Sequence, residues 1–167
     1  MKKNTRPEQK ETDWAYLAGI IDGEGTIRIK LHRQFYPHLN KKYERCYVEL
    51  SVANTDIRLH AWLKEFFGGR INEDRSKRKH AGWSRCWHWS LSCSSAVHAL
   101  ERCYPYLVIK KHHAEVAFAF QKTVCRPGQH GHSPEVWQER EKLRGELHSL
   151  CQRPGEKIPR SADHVVN

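Results

Sequence analysis

The sequence predicts an α+β domain whose elements run helix, strand, strand, helix, strand, strand, helix, with a charged helix appended at the C-terminal end. Three observations predict it. Residues 14–22 are apolar or small on every side of a helix until the final carboxylate, so that helix belongs inside an assembly of other elements. Two alternating segments follow, Thr26 to Leu31 and Cys46 to Ala53, each presenting one apolar face. Beyond them the apolar period switches between that of a helix and that of a strand. At 167 residues the chain is long enough to bury one core.

The elements follow in order. Residues 1–11 are polar and read as a mobile arm. Thr12 or Asp13 suits a helix N-cap, the helix runs from Trp14 to about Asp22, and Gly23 and Gly25 break it. In the first strand Ile27, Ile29 and Leu31 share one face and Thr26, Arg28 and Lys30 the other. Gln34 to Arg45 reads as a polar connection. The second strand turns Val48, Leu50 and Val52 inward and Tyr47, Glu49 and Ser51 outward. Leu59, Trp62, Leu63, Phe66 and Phe67 keep helical spacing over residues 57–67, and Gly68-Gly69 ends that helix.

Arg70 to Glu73 is a short strand, and Arg75 to His80 a basic turn. A fourth strand carries Trp87, Trp89 and Leu91 inward and His88 and Ser90 outward. Ser94 or Ser95 caps a helix through Cys103. A loop around Pro105 leads to Lys110, and a helix runs from His112 or His113 to about Val124. A Gly/Pro/His-containing linker precedes a last helix, Glu135 to Cys151, and a loose tail. The organisation is therefore an arm over 1–11, a core over 12–124 and an extension over 125–167. No internal repeat is present, and the apolar helix at 14–22 occurs once.

Lys plus Arg number 29 against 19 Asp plus Glu, a formal net charge of +10. A positive field of that size suits nucleic acid or an anionic membrane. A membrane span is excluded by length: the longest early apolar run, Trp14 to Ile21, falls well short of the roughly 20 residues required. No apolar stretch follows the basic start directly, so no signal peptide is expected. The six cysteines include no C-x-x-C pair and read as free thiols of a reducing compartment. Cys125, His130 and His132 offer a zinc alternative, although their spacing fits no common zinc module.

The chemistry concentrates in Leu17-Ala18-Gly19-Ile20-Ile21-Asp22-Gly23-Glu24-Gly25. Gly19 within a helix costs roughly 1 kcal/mol relative to Ala, which calls for an offsetting gain. Gly19 and Gly23 lie one turn apart on one face, where small residues admit a second helix backbone. Asp22 and Glu24 then end the helix beside a strand with a basic outer face. A polyanion on that face is repelled by the carboxylates unless a hard cation lies between.

These residues closely resemble the motif of the LAGLIDADG homing endonucleases. The element order over about residues 12–124 is similar to that family's core, and Pro105-Tyr106-Leu107-Val108-Ile109-Lys110-Lys111 resembles its second recurrent segment. The resemblance implies a four-stranded antiparallel sheet that binds double-stranded DNA, and a homodimer with one motif per subunit. It also implies Mg²⁺- or Mn²⁺-dependent hydrolysis leaving a staggered break in a long, near-palindromic site. The two motif helices would pack side by side through Leu17, Ala18, Gly19 and Ile20. Glu24 would be the catalytic carboxylate and metal ligand, helped by the Gly23 carbonyl and, less directly, by Asp22. Lys110 would stand near the attacking water, and Asn54 and Arg58 would position water, although a strand-end Asn is as readily a turn residue.

For DNA contact, the outward strand residues Thr26, Arg28, Lys30, His32, Arg45, Tyr47, Glu49, Ser51 and His88 are assigned to the groove. Arg75, Lys77, Arg78, Lys79 and Lys111 are assigned to the DNA as well, the basic turn among them to phosphates. The last helix, with Trp137, Leu143, Leu147 and Leu150 on one stripe, is expected to support the dimer or touch flanking DNA. No membrane and no small-molecule substrate are implied. The protein is placed inside a cell, in a bacterial or phage-host cytoplasm or in an organelle that encodes it. The competing readings are a catalytically inactive relative serving as an RNA maturase or DNA-binding regulator, and an unrelated zinc-dependent module.

Overall fold

Residues 6–74, 84–124 and 133–152 are described by a computed structural model. Helix α1 covers Glu11–Glu24, strand β1 Gly25–Tyr36, β2 Lys41–Asn54, α2 Ile57–Phe67, β3 Arg70–Glu73 and β4 Trp87–Ser92. Helices α3 (Ser94–Cys103), α4 (Lys111–Lys122) and α5 (Pro134–Cys151) complete the order, with one-turn 3-10 helices at Pro37–Leu39 and Tyr104–Tyr106. The expected αββαββα sequence of elements, its antiparallel sheet and the added C-terminal helix are all present.

The sheet order is β1-β2-β4-β3, antiparallel throughout. Alternation divides it cleanly. Ile27 pairs with Leu50 and Leu50 with Leu91, while Ile29 pairs with Val48 and Val52 with Trp89. All of these are buried under the helices. A fully buried Leu or Ile contributes roughly 2 kcal/mol, so this row fixes the register: a slip of one residue would turn the whole apolar set to solvent. The helices pack on that inner face. Trp14 stacks near Phe67 at 4.9 Å and joins α1 to α2. Trp89 is fully buried, and its indole N–H donates to the Gly68 carbonyl at 2.6 Å. Gly68 and Gly69 both have positive φ, 76° and 84°, which explains why two glycines end α2.

Several boundaries differ from the expectation. Helix α1 begins at Glu11, not after Thr12 or Asp13. Asp13 instead sits in the first turn, where its carboxylate accepts from the Lys10 N–H at 2.8 Å. The helix also continues through Gly23 to Glu24. The polar connection at residues 34–45 is largely strand, because β1 and β2 stay paired from Gly25↔Val52 to Tyr36↔Lys41. Asn40, with φ 45°, lies in the turn of that hairpin.

Helix α5 is built into the protomer rather than projecting from it. Leu143 and Leu147 are buried in the same core as the sheet, and Trp137 and Leu150 pack against it. Arg140 is 3% exposed. Its guanidinium donates to the Thr123 carbonyl at 2.6 Å and hydroxyl at 3.1 Å, closing the end of α4. The apolar stripe of a helix expected to support the dimer or touch flanking DNA thus faces its own chain. Among the described residues, no helix is long and apolar enough to cross a membrane.

Candidate functional site

The site begins where α1 hands over to β1. Gly25 is buried, and a Cβ there would lie 2.6 Å from the Ile21 Cα. Only glycine lets the strand leave the helix so closely, and that tight exit leaves Glu24 exposed at the helix end. Asn54 ends β2 beside it and donates from Nδ2 to Glu24 Oε2 at 2.5 Å. The Asp56 N–H donates to Asn54 Oδ1 at 2.8 Å, which sets the orientation of the amide. Glu24 and Asn54, assigned together from sequence, therefore stand together in space.

Asp22 and Lys110 are engaged elsewhere. The Asp22 carboxylate accepts from the backbone N–H groups of Val108 (2.7 Å), Ile109 (3.2 Å) and Lys110 (2.9 Å). In return the Lys110 ammonium donates to the carbonyls of Ile21 and Asp22, each at 2.6 Å, holding the last turn of α1. Burial pulls the Lys110 pKa below its ordinary value, against the opposing pull of Asp22. Asp22 is thus a bracket for the segment at residues 108–110, not a carboxylate open to metal. Lys110 braces the helix that carries Glu24, with its charge directed at backbone carbonyls. Arg58 also departs from expectation. It pairs with Asp56, the N-cap of α2, at 2.6 Å, and hydrogen bonding from Arg58 holds the Asp56 carboxyl at about 2.

One face of α1 is bare. Gly19 and Gly23 are exposed, and a Cβ at either would meet nothing within 4 Å. Ala15, Tyr16, Ile20 and Glu24 line the same shallow groove. Tyr16 is 57% exposed, and Val108 and Ile109, bracketed by Asp22, are exposed to 82% and 70%. Of the residues expected at a helix-to-helix interface, Gly19 and Ile20 are on this face. Leu17 and Ala18 are not: both are completely buried in the protomer's own core. The all-round apolarity of the segment divides into a core face and a face that no described residue covers.

The outer face of the sheet carries no helix among the described residues. Its rows run Thr26–Ser51–Ser90–Arg70, Arg28–Glu49–Ser92, Lys30–Tyr47 and His32–Arg45. Arg28, His32 and Arg45 are exposed and Thr26, Lys30, Tyr47 and His88 half-buried. His88 lies 3.6 Å from Asp74. Glu49 is the exception to the assignment. It is 8% exposed and ion-paired to both Arg28 (3.1 Å) and Lys30 (2.8 Å), so it organises its neighbours instead of reaching outward. Ser51 is likewise buried, 3.5 Å from Arg28 Nη2.

Arg70 and Asn72 were missed, although the alternation of Arg70-Ile71-Asn72-Glu73 marks them as outward. Lys111 opens α4, its ammonium over the Tyr104 ring at 4.9 Å. Arg75, Lys77, Arg78 and Lys79 lie outside the described residues, as do Cys125, His130 and His132. Among the described residues no three His, Cys, Asp or Glu side chains converge as a metal cluster. The donor set at the bare face is one open carboxylate, Glu24, beside the exposed Gly23. Mg²⁺ takes one or two carboxylates and keeps much of its water, so these residues fit such an ion.

No protein-family model and no curated protein matches the chain. Solved structures do. The homing endonuclease I-CvuI, in complex with its target in the presence of calcium, superposes with a TM-score of 0.66 at 20% identity over 88% of this chain and 85% of that one. The archaeal intron-encoded homing endonuclease I-Vdi141I, complexed with DNA, gives 0.65 at 18% identity over 89% and 90%. The LAGLIDADG homing endonuclease I-SmaMI, bound to cleaved DNA, gives 0.54 at 17% identity; 90% of this chain matches 52% of that longer one. The chain has the fold of the LAGLIDADG homing endonucleases.

Proposed function

We propose that the chain is a site-specific DNA endonuclease that acts as a symmetric homodimer, with Glu24 of each protomer serving one strand. The observation that carries this reading is the position of Glu24. It is exposed, oriented by Asn54, and stands at the end of a bare small-residue helix face beside a sheet with a basic outer surface. One protomer has one such carboxylate and one sheet, whereas cutting two strands requires two sites. Joining the bare faces of two α1 helices brings the pair together on a twofold axis.

The divalent cation, Mg²⁺ or Mn²⁺, would be held by Glu24 and the Gly23 carbonyl, and would supply Lewis-acid stabilisation of the phosphate and a more acidic water. The chain's own residues do the rest. Asn54 keeps the Glu24 carboxylate in one orientation. Lys110 and Asp22 lock the helix end from which it projects. Arg28, Lys30, His32, Arg45 and Tyr47 hold the duplex across the sheet, and the basic residues Arg75, Lys77, Arg78 and Lys79 grip its phosphates. Double-stranded DNA is the partner and substrate. A twofold reader favours a near-palindromic site; a long site and a staggered break follow the likeness to the homing endonucleases. Intron homing inside a cell is the matching role, in company with the intron-encoded I-Vdi141I.

The test is incubation of the purified protein with a pool of randomised duplexes and Mg²⁺, with sequencing of the cut ends. Recovery of one family of near-palindromic sites, cut on both strands by a protein that sediments as a dimer, is the expected result. Tight binding of a defined site with no cleavage in Mg²⁺ or Mn²⁺ would instead assign a DNA-binding regulator.

A further inference from the structure

His60 is completely buried within α2. The other buried polar side chains among the described residues, Glu49, Ser51 and Arg140, each make side-chain contacts that account for them. His60 makes one hydrogen-bond contact, between Nε2 and the Asn54 carbonyl at 3.2 Å. A carbonyl only accepts, so Nε2 carries the hydrogen and donates. The other ring nitrogen, Nδ1, is buried with no partner among the described residues. An unpaired buried nitrogen is costly, and an apolar side chain of similar size would fill the space without that cost. Packing alone does not explain an imidazole here.

Its one partner gives the explanation. Asn54 is gripped at three points. His60 holds its backbone carbonyl from inside the core, the Asp56 N–H holds its side-chain oxygen, and its side-chain nitrogen donates to Glu24. With the first two fixed, the third is directed. We propose that His60 is a positioning residue for the reaction: by donating to the Asn54 carbonyl it fixes the strand end whose amide orients Glu24. This rests on the endonuclease reading for its consequence in cleavage, but the arrangement itself is testable without cleavage.

The experiment uses the full chain with ¹⁵N-labelled asparagine in wild type, His60→Leu, His60→Gln and Glu24→Gln. Glutamine is the rescuing variant, because its amide nitrogen reaches as far as Nε2 and can donate to the same carbonyl. The Asn54 side-chain amide resonances of His60→Leu are expected to move toward those of Glu24→Gln, and those of His60→Gln to return toward wild type. In single-turnover cleavage of a selected site, His60→Leu is expected to be slower by about 10- to 100-fold, the usual effect of losing a supporting hydrogen bond behind a site residue. His60→Gln should recover most of that rate, with DNA affinity in Ca²⁺ unchanged in both.

If His60→Leu does not fold, His60→Asn takes its place, since its amide is too short to reach the carbonyl. A wild-type Asn54 signature in the Leu or Asn variant overturns the proposal, and so does a Gln variant no better than they are. A wild-type protein that cuts no DNA, with the Asn54 resonances responding as described, sinks the endonuclease reading and leaves the His60–Asn54–Glu24 arrangement standing.

Discussion

Two carboxylates two residues apart at the end of one helix have opposite fates. Asp22 accepts three backbone N–H groups, whereas Glu24 accepts one amide and stays open. Periodicity and charge do not distinguish them, because the groups that occupy Asp22 lie 86 to 88 positions further along the chain. The motif resemblance ranks Glu24 above Asp22; the fold supplies the reason, by occupying Asp22 and leaving Glu24 open. The same distance hid the placement of Lys110, which is legible as a basic residue near the site but not as a brace on helix carbonyls. Asp22→Asn places an NH₂ among N–H donors, so it should lower stability by about 1 to 3 kcal/mol. Thermal melting checks this. A variant as stable as wild type would mean that the bracket contributes nothing to the fold.

Among the elements, α1 shows best how a pattern is read and misread. Its apolarity on every side signals burial on every side. The protomer, however, buries only Trp14, Leu17, Ala18 and Ile21 and leaves the glycine face open. Assigning Leu17 and Ala18 to an interface failed because a run of apolar residues does not announce which half faces home. Gly19→Leu tests the division. The side chain meets nothing in the protomer and removes a helix-interior glycine, so the folded monomer should gain about 1 kcal/mol. The proposed dimer should be lost in sedimentation. A dimer of undiminished affinity would place the interface elsewhere.

The β1–β2 hairpin was underestimated for a related reason. Beyond Leu31 the core-side residues are Arg33 and Phe35, both exposed, so pairing continues where apolar alternation stops. Helix α5 was seen as amphipathic, but its stripe faces the protomer's own core.

Helix α4 is tied to α5 by His113, whose ring lies 3.2 Å from the Leu150 carbonyl. Burial lowers its pKa. Above the ordinary histidine value of about 6.5 both folded and unfolded forms are neutral, and nothing is lost. As pH falls from there through the lowered folded value, the unfolded chain takes up the proton first, and stability declines. His113→Gln keeps a donor for Leu150 and removes the titration. Between about pH 7.5 and about pH 5 the wild type should therefore lose more melting temperature than the variant. Equal losses would assign the acid sensitivity to other groups.

For the whole molecule, a net charge of +10 doubles to +20 in a dimer, yet not all of it is available to phosphate. Glu49 sits between Arg28 and Lys30 at the middle of the outer sheet face and offsets part of their charge. If about 8 phosphates are neutralised, log K should fall with log salt with a slope of about −7. Glu49→Gln releases two cations per protomer. It should tighten binding to random duplexes at low salt, steepen the slope by about 1 to 2 per protomer, and reduce discrimination between sites. An unchanged slope would show that Arg28 and Lys30 do not meet phosphate. The sheet, its two faces and the position of Glu24 were legible because periodicity and a compact motif encode them locally. The charge network across β1 and β2 was not, because it exists only once the register is set.

The most direct test is Glu24→Gln, assayed for single-turnover cleavage of a selected site in Mg²⁺ and for binding to the same site in Ca²⁺. Glutamine keeps the size of the side chain and an oxygen for Asn54 but removes the charge that holds a cation. Cleavage should fall by several orders of magnitude, while sedimentation still gives a dimer and DNA affinity is equal or tighter, since a carboxylate facing phosphates has been removed. Cleavage by Glu24→Gln at the wild-type rate would contradict the account, because the end of α1 would then not be where the strand is cut.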